Sequence, residues 1–451
     1  MAGTSKRIAI FTTFSEAPQA YSLNRIVQNQ LEMLLSHGYS PTVIVADTFV
    51  PEGLYADKRV TLKKIPNVPV HNEVKRDETF EKDVDDIRRA LGEAIKESDI
   101  VLTHDIIYQS ASLKHNFAAR KVAEEHPNIH WLHWIHSATP PATLANLRPY
   151  FSDAYLELVS KPFPNSFYVF FNDYSVPIIA KNFAVPEKIV RVVHHPSNLK
   201  DIYALSDLVW GVVKQKKIYE ADAICVYPVR LDRGKQVEYV IKTMAMLKTF
   251  NLSIRVIIVD FHSTGGDKLT YRDDLKNVAI DYGIDYNELI WTSEARPEWE
   301  VEVPYKDVLG FMRLANVFIM PSRSESYSLI TQEAGLNKCA VVLNQDFPPF
   351  RDIFGPHAIY RKYSSNFDTL AEVEEAMGQG SFTNTVYGAA GTSKEEQSVT
   401  ERNYHKDTAG RIANQLLYNK SQALSIFLRK YRNLDYIAEH ELFPLFYEET
   451  N

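Results

Sequence analysis

Short β-branched runs alternate with amphipathic stretches along the first half of the chain. The apolar run RIAIFTTF precedes YSLNRIVQNQLEMLLSHG, in which Ile26, Leu31, Leu34 and Leu35 recur at helical spacing before Gly38. The alternation continues through the apolar runs PTVIVAD, VTLKKIP, DIVLTHD, NIHWLHWIH, FYVFFND and KIVRVVHHP. Strands that alternate with helices predict parallel strands joined by crossovers and buried on both faces of the sheet.

The same pattern starts again near residue 221, with the apolar runs AICVYPVR, SIRVIIVD, LIWTSE, NVFIMP and CAVVLN. Residues 198–220 have no clear period and are interpreted as a connector. Residues 377–406 are small, polar and poorly periodic, which is typical of a long surface loop or mobile segment. The predicted fold class is therefore α/β, with two facing Rossmann-like domains, parallel sheets and an interdomain cleft. The predicted domains are 1–200, 201–425 and a C-terminal helix and tail, 426–451, that packs back toward the first domain.

Charge and composition narrow the classes of partner and compartment. The formal net charge of −7 gives no global basic footprint, so a nucleic-acid partner is possible but not favoured. No apolar run is long enough to span a bilayer, and the run after Lys6 is too short for a secretory signal. Cys225 and Cys339 each lie in an apolar run, which favours buried, inert thiols over a disulfide. These features predict a cytoplasmic protein without a transmembrane segment.

The segment PSRSESYSLITQEAG, residues 321–335, is a predicted strand-to-helix turn with a glutamate near each end. The free N–H groups of Ser326, Tyr327 and Ser328 are expected at the helix N-terminus, where a phosphate binds well. Glu325 and Glu333 allow two interpretations. They are either acceptors for sugar hydroxyls, or an acid favoured near a helix start and an exposed helix residue.

A second predicted strand-to-helix junction is basic. In YPVRLDRGKQVEYVI the strand ends at Arg230 and a helix starts near Gln236, which leaves Arg230, Arg233 and Lys235 on the connecting loop. Three cations at the carboxyl end of a strand suit a diphosphate, with arginine binding as a fork and lysine as a point charge. An ordinary solvated basic loop is the alternative.

Taken together, five motifs resemble those of the retaining GT-B glycosyltransferases, especially the GT4-like group. These motifs are R-x4-K after the first strand of the second half, E-x7-E at a later turn, DIVLTHD, HWIHSATPP, and the block FNDYSVPIIAKNFAVPEKIVRVVHHPSN. They occur in family order and cover most of the chain. The resemblance implies an acceptor-binding domain at 1–200 and a nucleotide-sugar donor-binding domain at 201–425.

The same resemblance implies a role for each candidate residue. Arg230 and Lys235 would stabilise the donor's diphosphate, and Arg233 would assist on the same loop. Glu333 would accept from ribose hydroxyls and Glu325 from a hydroxyl of the transferred sugar. The amides of Ser326, Tyr327 and Ser328 would hold the distal phosphate. The activity implied is a retaining hexosyl or pentosyl transfer that relies on positioning and electrostatics.

A histidine of the first half joins this set, and no cofactor does. His136 would contact a sugar near the reacting centre, although a partly buried structural histidine is the alternative. The family needs neither a bound metal nor a cofactor besides the nucleotide-diphosphate sugar, and the pair Asp273 and Asp274 is expected to cap a helix start. The acceptor stays open between a glycan, a lipid, a small molecule, a protein and a modified nucleic-acid base.

Several positions depart from the family pattern and indicate a divergent member. The loop 14–24, FSEAPQAYSLN, contains no glycine, and Asp260 stands where the family has a glycine after a strand. These departures weaken the assignment of substrate more than that of reaction class. A non-catalytic GT-B-like protein that binds a nucleotide or a glycan is the competing hypothesis, because fold alone does not establish activity.

Overall fold

The computed structural model forms two compact units. It describes residues 6–18, 21–66, 79–138, 161–261, 268–322, 325, 327–363 and 394–450. One unit, called unit 1 here, comprises Met1–Asn198 and Tyr431–Asn451; unit 2 comprises Leu199–Lys430.

Unit 1 contains a seven-stranded parallel sheet in the order β3-β2-β1-β4-β5-β6-β7. Its strands are β1 Ile8–Phe11, β2 Thr42–Ala46, β3 Thr61–Ile65, β4 Ile100–His104, β5 His130–Trp134, β6 Ser166–Phe170 and β7 Val190–Val192. Its first helices are α1 Ser22–Ser36, α2 Phe80–Ile95, α3 Leu113–Glu125 and α4 Val176–Phe183.

The first strand shows why this sheet is buried on both faces. Ile8 and Ile10 belong to one buried cluster and Ala9 and Phe11 to another, because successive side chains point to opposite faces of a strand. The C-terminal segment of the chain completes the cluster that contains Ile8, through residues such as Leu434. An apolar run such as IAIF therefore becomes a strand between two layers of helices.

Unit 2 contains a six-stranded parallel sheet in the order β10-β9-β8-β11-β12-β13. Its strands are β8 Ala223–Arg230, β9 Ile254–Phe261, β10 Leu289–Trp291, β11 Val317–Met320, β12 Ala340–Asn344 and β13 Ile359–Arg361. The following helices, in chain order, are α5 Leu199–Ile202, α6 Asp207–Gln215, α7 Val237–Leu247, α8 Lys268–Asp281, α9 Thr292–Ala295, α10 Tyr305–Leu314, α11 Leu329–Leu336, α12 Pro348–Phe354, α13 Lys394–Tyr418, α14 Lys420–Tyr431 and, in unit 1, α15 Leu434–Ile437.

The two Rossmann-like α/β domains with parallel sheets are therefore confirmed; the predicted cleft stays a prediction. Each sheet has the doubly wound order, in which the direction of winding reverses beside the first strand. In unit 1 the reversal lies between β1 and β4, and in unit 2 between β8 and β11. Ligands of such sheets bind outside the carboxyl ends of these strands, so two positions in the molecule are marked for a site.

Four sequence-based expectations about local structure are wrong. The connector 198–220 contains helices α5 and α6, and residues 394–406 form the first half of helix α13. The rest of the expected loop, 377–393, lies outside the described residues. Strand β13 was not expected, because its run IYR is too short to give a period. Asp273 and Asp274 lie in the second turn of helix α8, where Asp274 pairs with Arg233 instead of capping the helix.

Two further findings concern the thiols and the membrane. Cys225 is buried and Cys339 half-buried, and burial raises the pKa of both thiols, that of Cys339 to about 12. Among the described residues, no helix combines the length and the hydropathy needed to cross a bilayer.

Candidate functional site

The basic loop after β8 is built at the switch point of the second sheet. The strand ends at Arg230, and Arg233–Lys235 form a short 3₁₀ turn before helix α7. The Tyr227 hydroxyl donates to the Lys235 carbonyl oxygen over 3.0 Å and so ties this turn to the strand. Gln236 follows in the left-handed region with φ 54°, and its side chain is fully buried. The loop is therefore anchored on both sides of Lys235.

Lys235 reaches across to the turn that follows β11. Its Nζ forms an ion pair with Glu325 and lies 3.4 Å from the Ser322 hydroxyl. The Lys235 and Glu325 side chains retain 22% and 21% of their exposure, so this pair is only partly screened by water. The two sequence-distant junctions, one basic and one acidic, meet at a single point.

Arg230 and Arg233 differ in their surroundings. Arg230 is half-exposed, and its Nε donates to Asp232 over 3.0 Å. Arg233 Nη2 contacts Asp274 on helix α8 at 2.6 Å, and its guanidinium lies 5.0 Å from the centre of the Tyr271 ring. The hydrogen bond to Asp274 raises the pKa of Arg233. Arg233 is thus engaged by helix α8 and not by the acidic turn.

An open cavity of about 450 Å³ lies between the two junctions. Its lining includes three charged side chains and the start of helix α11. The lining residues are Tyr227, Pro228, Val229, Arg230, Lys235, Met320, Glu325, Ser328, Leu329 and Ile330. The cavity lies at the carboxyl ends of β8 and β11, where a doubly wound sheet is expected to bind a ligand.

The helix that borders this cavity follows the predicted turn. Ser328 precedes α11 in a left-handed conformation, with φ 69° and ψ 77°, and its hydroxyl lies 2.8 Å from that of Thr331. Helix α11 therefore starts at Leu329, with Ser328 as its cap residue, and its first helical amides are those of Leu329 and Ile330. Binding of a phosphate by the amides of Tyr327 and Ser328 stays a prediction. Ser326 lies outside the described residues. Tyr327 is exposed, and its hydroxyl accepts from Gln332 Nε2 over 2.7 Å.

Glu333 occupies the fifth position of helix α11. Its Oε1 accepts a hydrogen bond from the Tyr305 hydroxyl over 2.5 Å. Its Oε2 is buried, and among the described residues it has no hydrogen-bond partner. A buried carboxylate oxygen without a partner is costly, so this atom is a natural acceptor for a hydroxyl that gains access to it. Glu333 is not part of the lining of the cavity that contains Lys235.

His136 lies in unit 1, just beyond the end of β5. Its Nε2 is 3.1 Å from His104 Nδ1, and its ring stacks on that of His195 at 5.9 Å between centroids. Burial, with the neighbouring His195, lowers the pKa of His136 to about 4, and burial lowers that of His104 well below its usual value. Both imidazoles are therefore neutral near pH 7.

Beside these histidines, Asp105 adopts a left-handed conformation with φ 58° directly after β4. Its carboxylate accepts hydrogen bonds from the Tyr108 hydroxyl and, over 3.1 Å, from Gln109 Nε2. Burial raises the pKa of Asp105 to about 6 despite these bonds. The switch point of unit 1 thus carries neutral imidazoles beside a buried carboxyl group that is mostly ionised at pH 7 and takes up its proton near pH 6.

The structure groups the predicted residues unequally. It brings Arg230, Lys235, Glu325 and Ser328 to one cavity. Glu333 contacts Tyr305 instead, Arg233 contacts Asp274, and His136 belongs to the other unit.

Sequence reasoning missed three contributors. Ser322 directly follows β11, so the rule about carboxyl ends of strands could have identified it. Gln30, whose Oε1 lies 2.8 Å from His104 Nε2, and Tyr305 lie far along the chain from the side chains they contact, and no local signal marks them. Within the described part of the chain, no group of three or more His, Cys, Asp or Glu side chains is arranged to hold a metal ion.

Comparison with known proteins gives one family match by sequence. Residues 212–372 match the family model described as "Glycosyl transferases group 1". This segment contains both junctions of the cavity in unit 2. A comparison with curated proteins gives no match.

Solved structures give weak likenesses over nearly the whole chain. Sucrose-phosphate synthase from Thermosynechococcus elongatus is 14% identical, with 93% of this chain and 100% of that chain covered and a TM-score of 0.32. Anabaena HepE in complex with UDP-glucose is 11% identical over 94% and 99%, with a TM-score of 0.30. A glycosyltransferase from Rickettsia africae is 13% identical over 95% and 100%, with a TM-score of 0.29. TM-scores this low carry no argument about function.

Proposed function

We propose that this protein is a glycosyltransferase that moves a hexosyl or pentosyl group from a nucleotide-diphosphate sugar to an acceptor hydroxyl, with retention and without a bound metal. One observation carries the proposal. The segment that matches the glycosyltransferase model, residues 212–372, contains Arg230, Lys235, Glu325 and Glu333, and three of these line one cavity at the switch point of its sheet. The fold alone would not license an activity.

Arg230 and Lys235 are assigned to the diphosphate. Arg230 is half-exposed at the strand end and offers a planar fork, whereas Lys235 offers a more buried point charge. Charge-assisted hydrogen bonds from both would stabilise the negative charge that develops as the diphosphate leaves. This electrostatic task is the one that a metal ion would otherwise perform.

Glu325 has two tasks in this proposal. Without a donor it neutralises Lys235, to which it is paired. When a diphosphate engages Lys235, the Glu325 carboxylate becomes available to accept from a hydroxyl of the transferred sugar. The neighbouring amides of Leu329 and Ile330, at the start of α11, are assigned to the distal phosphate alongside those predicted from the sequence.

Glu333 is assigned to the ribose of the donor. Its Oε2 is buried and lacks a partner among the described residues, and its Oε1 is bonded to Tyr305. A ribose hydroxyl would supply the missing donor if the exposed Tyr305 side chain rotated away. Arg233, held by Asp274, is assigned only a supporting electrostatic role.

The proposed reaction needs no nucleophile from the protein. The bond between the anomeric carbon and the diphosphate oxygen breaks, and its electron pair stays on the diphosphate. The acceptor oxygen forms the new bond from the same face of the sugar, and its proton passes to the departing phosphate oxygen. His136 is assigned to a hydroxyl in unit 1, the proposed acceptor-binding unit. The proposal names no class of acceptor. The proposed cytoplasmic location rests on the sequence alone.

The test is turnover of the donor. Purified protein is incubated with UDP-, GDP- and ADP-sugars, with and without EDTA, and release of the nucleoside diphosphate is measured. We expect release with at least one donor, unchanged by EDTA, and a strong loss in the Arg230→Ala and Glu333→Ala variants. A Lys420→Ala variant, changed at an exposed position of helix α14, is the matched control.

Two other outcomes would count against the proposal. Binding of a nucleotide without turnover of any nucleotide sugar would favour the non-catalytic alternative. Turnover with inversion, detected as the opposite anomer by NMR of the product, would overturn the retaining mechanism while leaving the transferase class in place.

A further inference from the structure

Three side chains of unit 1 form a chain of hydrogen bonds that leads to His136. Gln30 on helix α1 places its Oε1 2.8 Å from His104 Nε2, and His104 Nδ1 lies 3.1 Å from His136 Nε2. Gln30 and His104 are 2% and 3% exposed. Two buried side chains therefore connect a helix of the outer layer to the ring of a candidate site residue.

The donor and acceptor properties of these atoms determine which ring nitrogens carry a proton. An amide oxygen can only accept, so the bond to Gln30 requires a proton on His104 Nε2. A neutral imidazole carries a single proton, which leaves a lone pair on His104 Nδ1. His136 must then donate from its own Nε2. Its remaining ring nitrogen, Nδ1, is left with a lone pair.

The backbone and the ring of His136 also contact residues outside this chain of hydrogen bonds. The backbone N–H of His136 donates to the Tyr108 hydroxyl over 3.2 Å, and the Tyr108 hydroxyl donates to Asp105. His195 stacks on the His136 ring with an interplanar angle of 9°. The ring is therefore held by His104 and His195, and the backbone by Tyr108.

We propose that Gln30 and His104 are positioning residues that hold His136 in its Nε2–H tautomer, so that Nδ1 accepts a hydrogen bond from a hydroxyl group of a ligand bound to unit 1. The ligand class, a sugar, comes from the proposed function, and its hydroxyl groups can donate to a neutral acceptor. The identity of this ligand as the acceptor of glycosyl transfer rests on the proposed function, whereas the tautomer does not.

Burial supports the neutral state that this chain requires. It lowers the pKa of His104 well below its ordinary value and that of His136 to about 4. A protonated ring would donate from both nitrogens and would break the sequence of donors and acceptors. At pH 7 the chain is therefore complete, with one proton per ring.

The experiment is a direct reading of the tautomer in the full-length protein. The protein is labelled with ¹⁵N at histidine, and two-bond proton–nitrogen correlation spectra at pH 7 report which ring nitrogen carries the proton. A His136→Gln spectrum identifies the His136 signals. We expect a proton on His136 Nε2 in the unaltered protein. A proton on Nδ1 would overturn the proposal, because it would mean that the Gln30 amide is oriented in the opposite sense.

Variants of Gln30 and His104 test their positioning role. His104→Met removes the acceptor that faces His136 Nε2, and we expect the single tautomer of His136 to be lost in that variant. Gln30→Met removes the acceptor at similar volume, and we expect the single tautomer to be lost in favour of a mixture at both histidines. Gln28→Met, a change on the same helix at a half-buried position, is the matched control and should leave the spectrum unchanged.

Each result bears on one claim only. An unchanged single tautomer in Gln30→Met would refute the positioning role. Should Gln30→Met fail to fold, the His104→Met spectrum decides, since an unchanged single tautomer at His136 there would also refute the role. Absence of sugar transfer by the unaltered protein would refute the proposed function and leave the tautomer result standing.

Discussion

The two units share a topology and differ in the chemistry at its reversal point. Both sheets place their first strand beside the strand at which the winding reverses, β1 beside β4 and β8 beside β11. In unit 2 this point carries Arg230, Lys235 and Glu325. In unit 1 it carries stacked imidazoles and Asp105, whose carboxyl has a pKa raised to about 6.

This difference indicates two classes of ligand for one architecture. We call the side chains at each reversal point the rim of that unit. The rim of unit 2, formed by Arg230, Lys235 and Glu325, is charged and partly exposed to water, and its two cations can pair with the negative charges of a diphosphate. Buried neutral imidazoles beside the Asp105 carboxylate suit a ligand rich in hydroxyl groups, since a phosphate would meet a negative charge and find little to offset its desolvation there. The loops after the strands, and not the strand order, determine the chemistry.

The largest expected effect concerns the protonation of His136 and Asp105 in unit 1 and its influence on the free energy of unfolding. The folded pKa of His136 is about 4, below its ordinary 6.5, so its contribution to stability is lost as pH falls from 6.5 toward 4. The folded pKa of Asp105 is about 6, above its ordinary 3.8, so its contribution is gained over nearly the same fall in pH. Each shift corresponds to roughly 3 kcal/mol at 1.36 kcal/mol per pKa unit.

The free energy of unfolding in urea, measured at pH 6.5 and pH 4.5, tests whether His136 and Asp105 have opposite effects on stability. Relative to the unaltered protein, His136→Gln should lose less free energy of unfolding on acidification, and Asp105→Asn should lose more. Other buried histidines, such as His115 with a pKa lowered to about 4, contribute equally to all three proteins and cancel in the comparison. Identical pH dependence in the three proteins would contradict the account of this rim.

The next largest effect concerns the charge of the rim in unit 2. Lys235→Met keeps the aliphatic stem and removes the ammonium group, and it leaves Glu325 facing any bound phosphate. A hydrogen bond to a charged group contributes about 1.5 to 3 kcal/mol, so binding of a nucleoside diphosphate should weaken roughly 10- to 100-fold. Calorimetric titration measures the change, and Lys420→Met should bind as the unaltered protein does. Equal affinity in Lys235→Met would remove the diphosphate from this rim.

A smaller effect should separate the two tasks assigned to Glu325. Glu325→Gln releases Lys235 from its ion pair and removes a negative charge beside the phosphate position. A nucleoside diphosphate without a sugar should therefore bind a few-fold more tightly, in keeping with a partly exposed pair. Turnover of the nucleotide sugar should fall in the same variant, because the sugar hydroxyl loses a charged acceptor. Tighter binding together with faster turnover would contradict the role in sugar binding.

The smallest effect concerns Tyr305. Its exposed side chain donates to Oε1 of Glu333, the carboxylate whose other oxygen, Oε2, the proposal assigns to a ribose hydroxyl. Tyr305→Phe removes this competing donor, so ribonucleotide binding should tighten about two-fold, whereas a nucleotide that lacks the 2′-hydroxyl should gain less. Weaker binding of both nucleotides in Tyr305→Phe would show that Tyr305 supports the site instead of competing for it.

The sequence was sufficient for the architecture because strands buried on both faces leave continuous apolar runs, as in AICVYPVR and NVFIMP. Six of the seven strands of unit 1 and five of the six in unit 2 lie in apolar runs, whereas the edge strand β3, TLKKI, contains two lysines and is largely exposed. The start of α13 was not predicted because its stretch is polar and shows little periodicity. Helix α6 was missed although it is amphipathic, with Val209, Val212 and Val213 on its buried face.

The site could be predicted only in part. The rule that loops after strands carry ligands placed Arg230, Lys235 and Glu325 in one region. The direct pairing of Lys235 with Glu325, 90 residues apart, depends on the adjacency of β8 and β11 in the sheet. Helix α11 follows the turn as predicted, and Ser328, although not a glycine, precedes it in a left-handed conformation that no local pattern predicts. The partners Tyr305 and Gln30 depend on packing between helices that no local pattern encodes.

Hydrogen exchange of the full-length protein, with and without a saturating nucleoside diphosphate, tests the central claim most directly. The account predicts slower exchange of amides in residues 231–237 and 327–331 of unit 2, and unchanged exchange in residues 104–108 and 134–137 of unit 1. The Lys235→Met variant should lose the protection at the same ligand concentration, whereas Lys420→Met should retain it. Protection of the residues of unit 1 alone, or binding that leaves both junctions of unit 2 unchanged, would contradict the assignment of the charged rim to the donor's diphosphate.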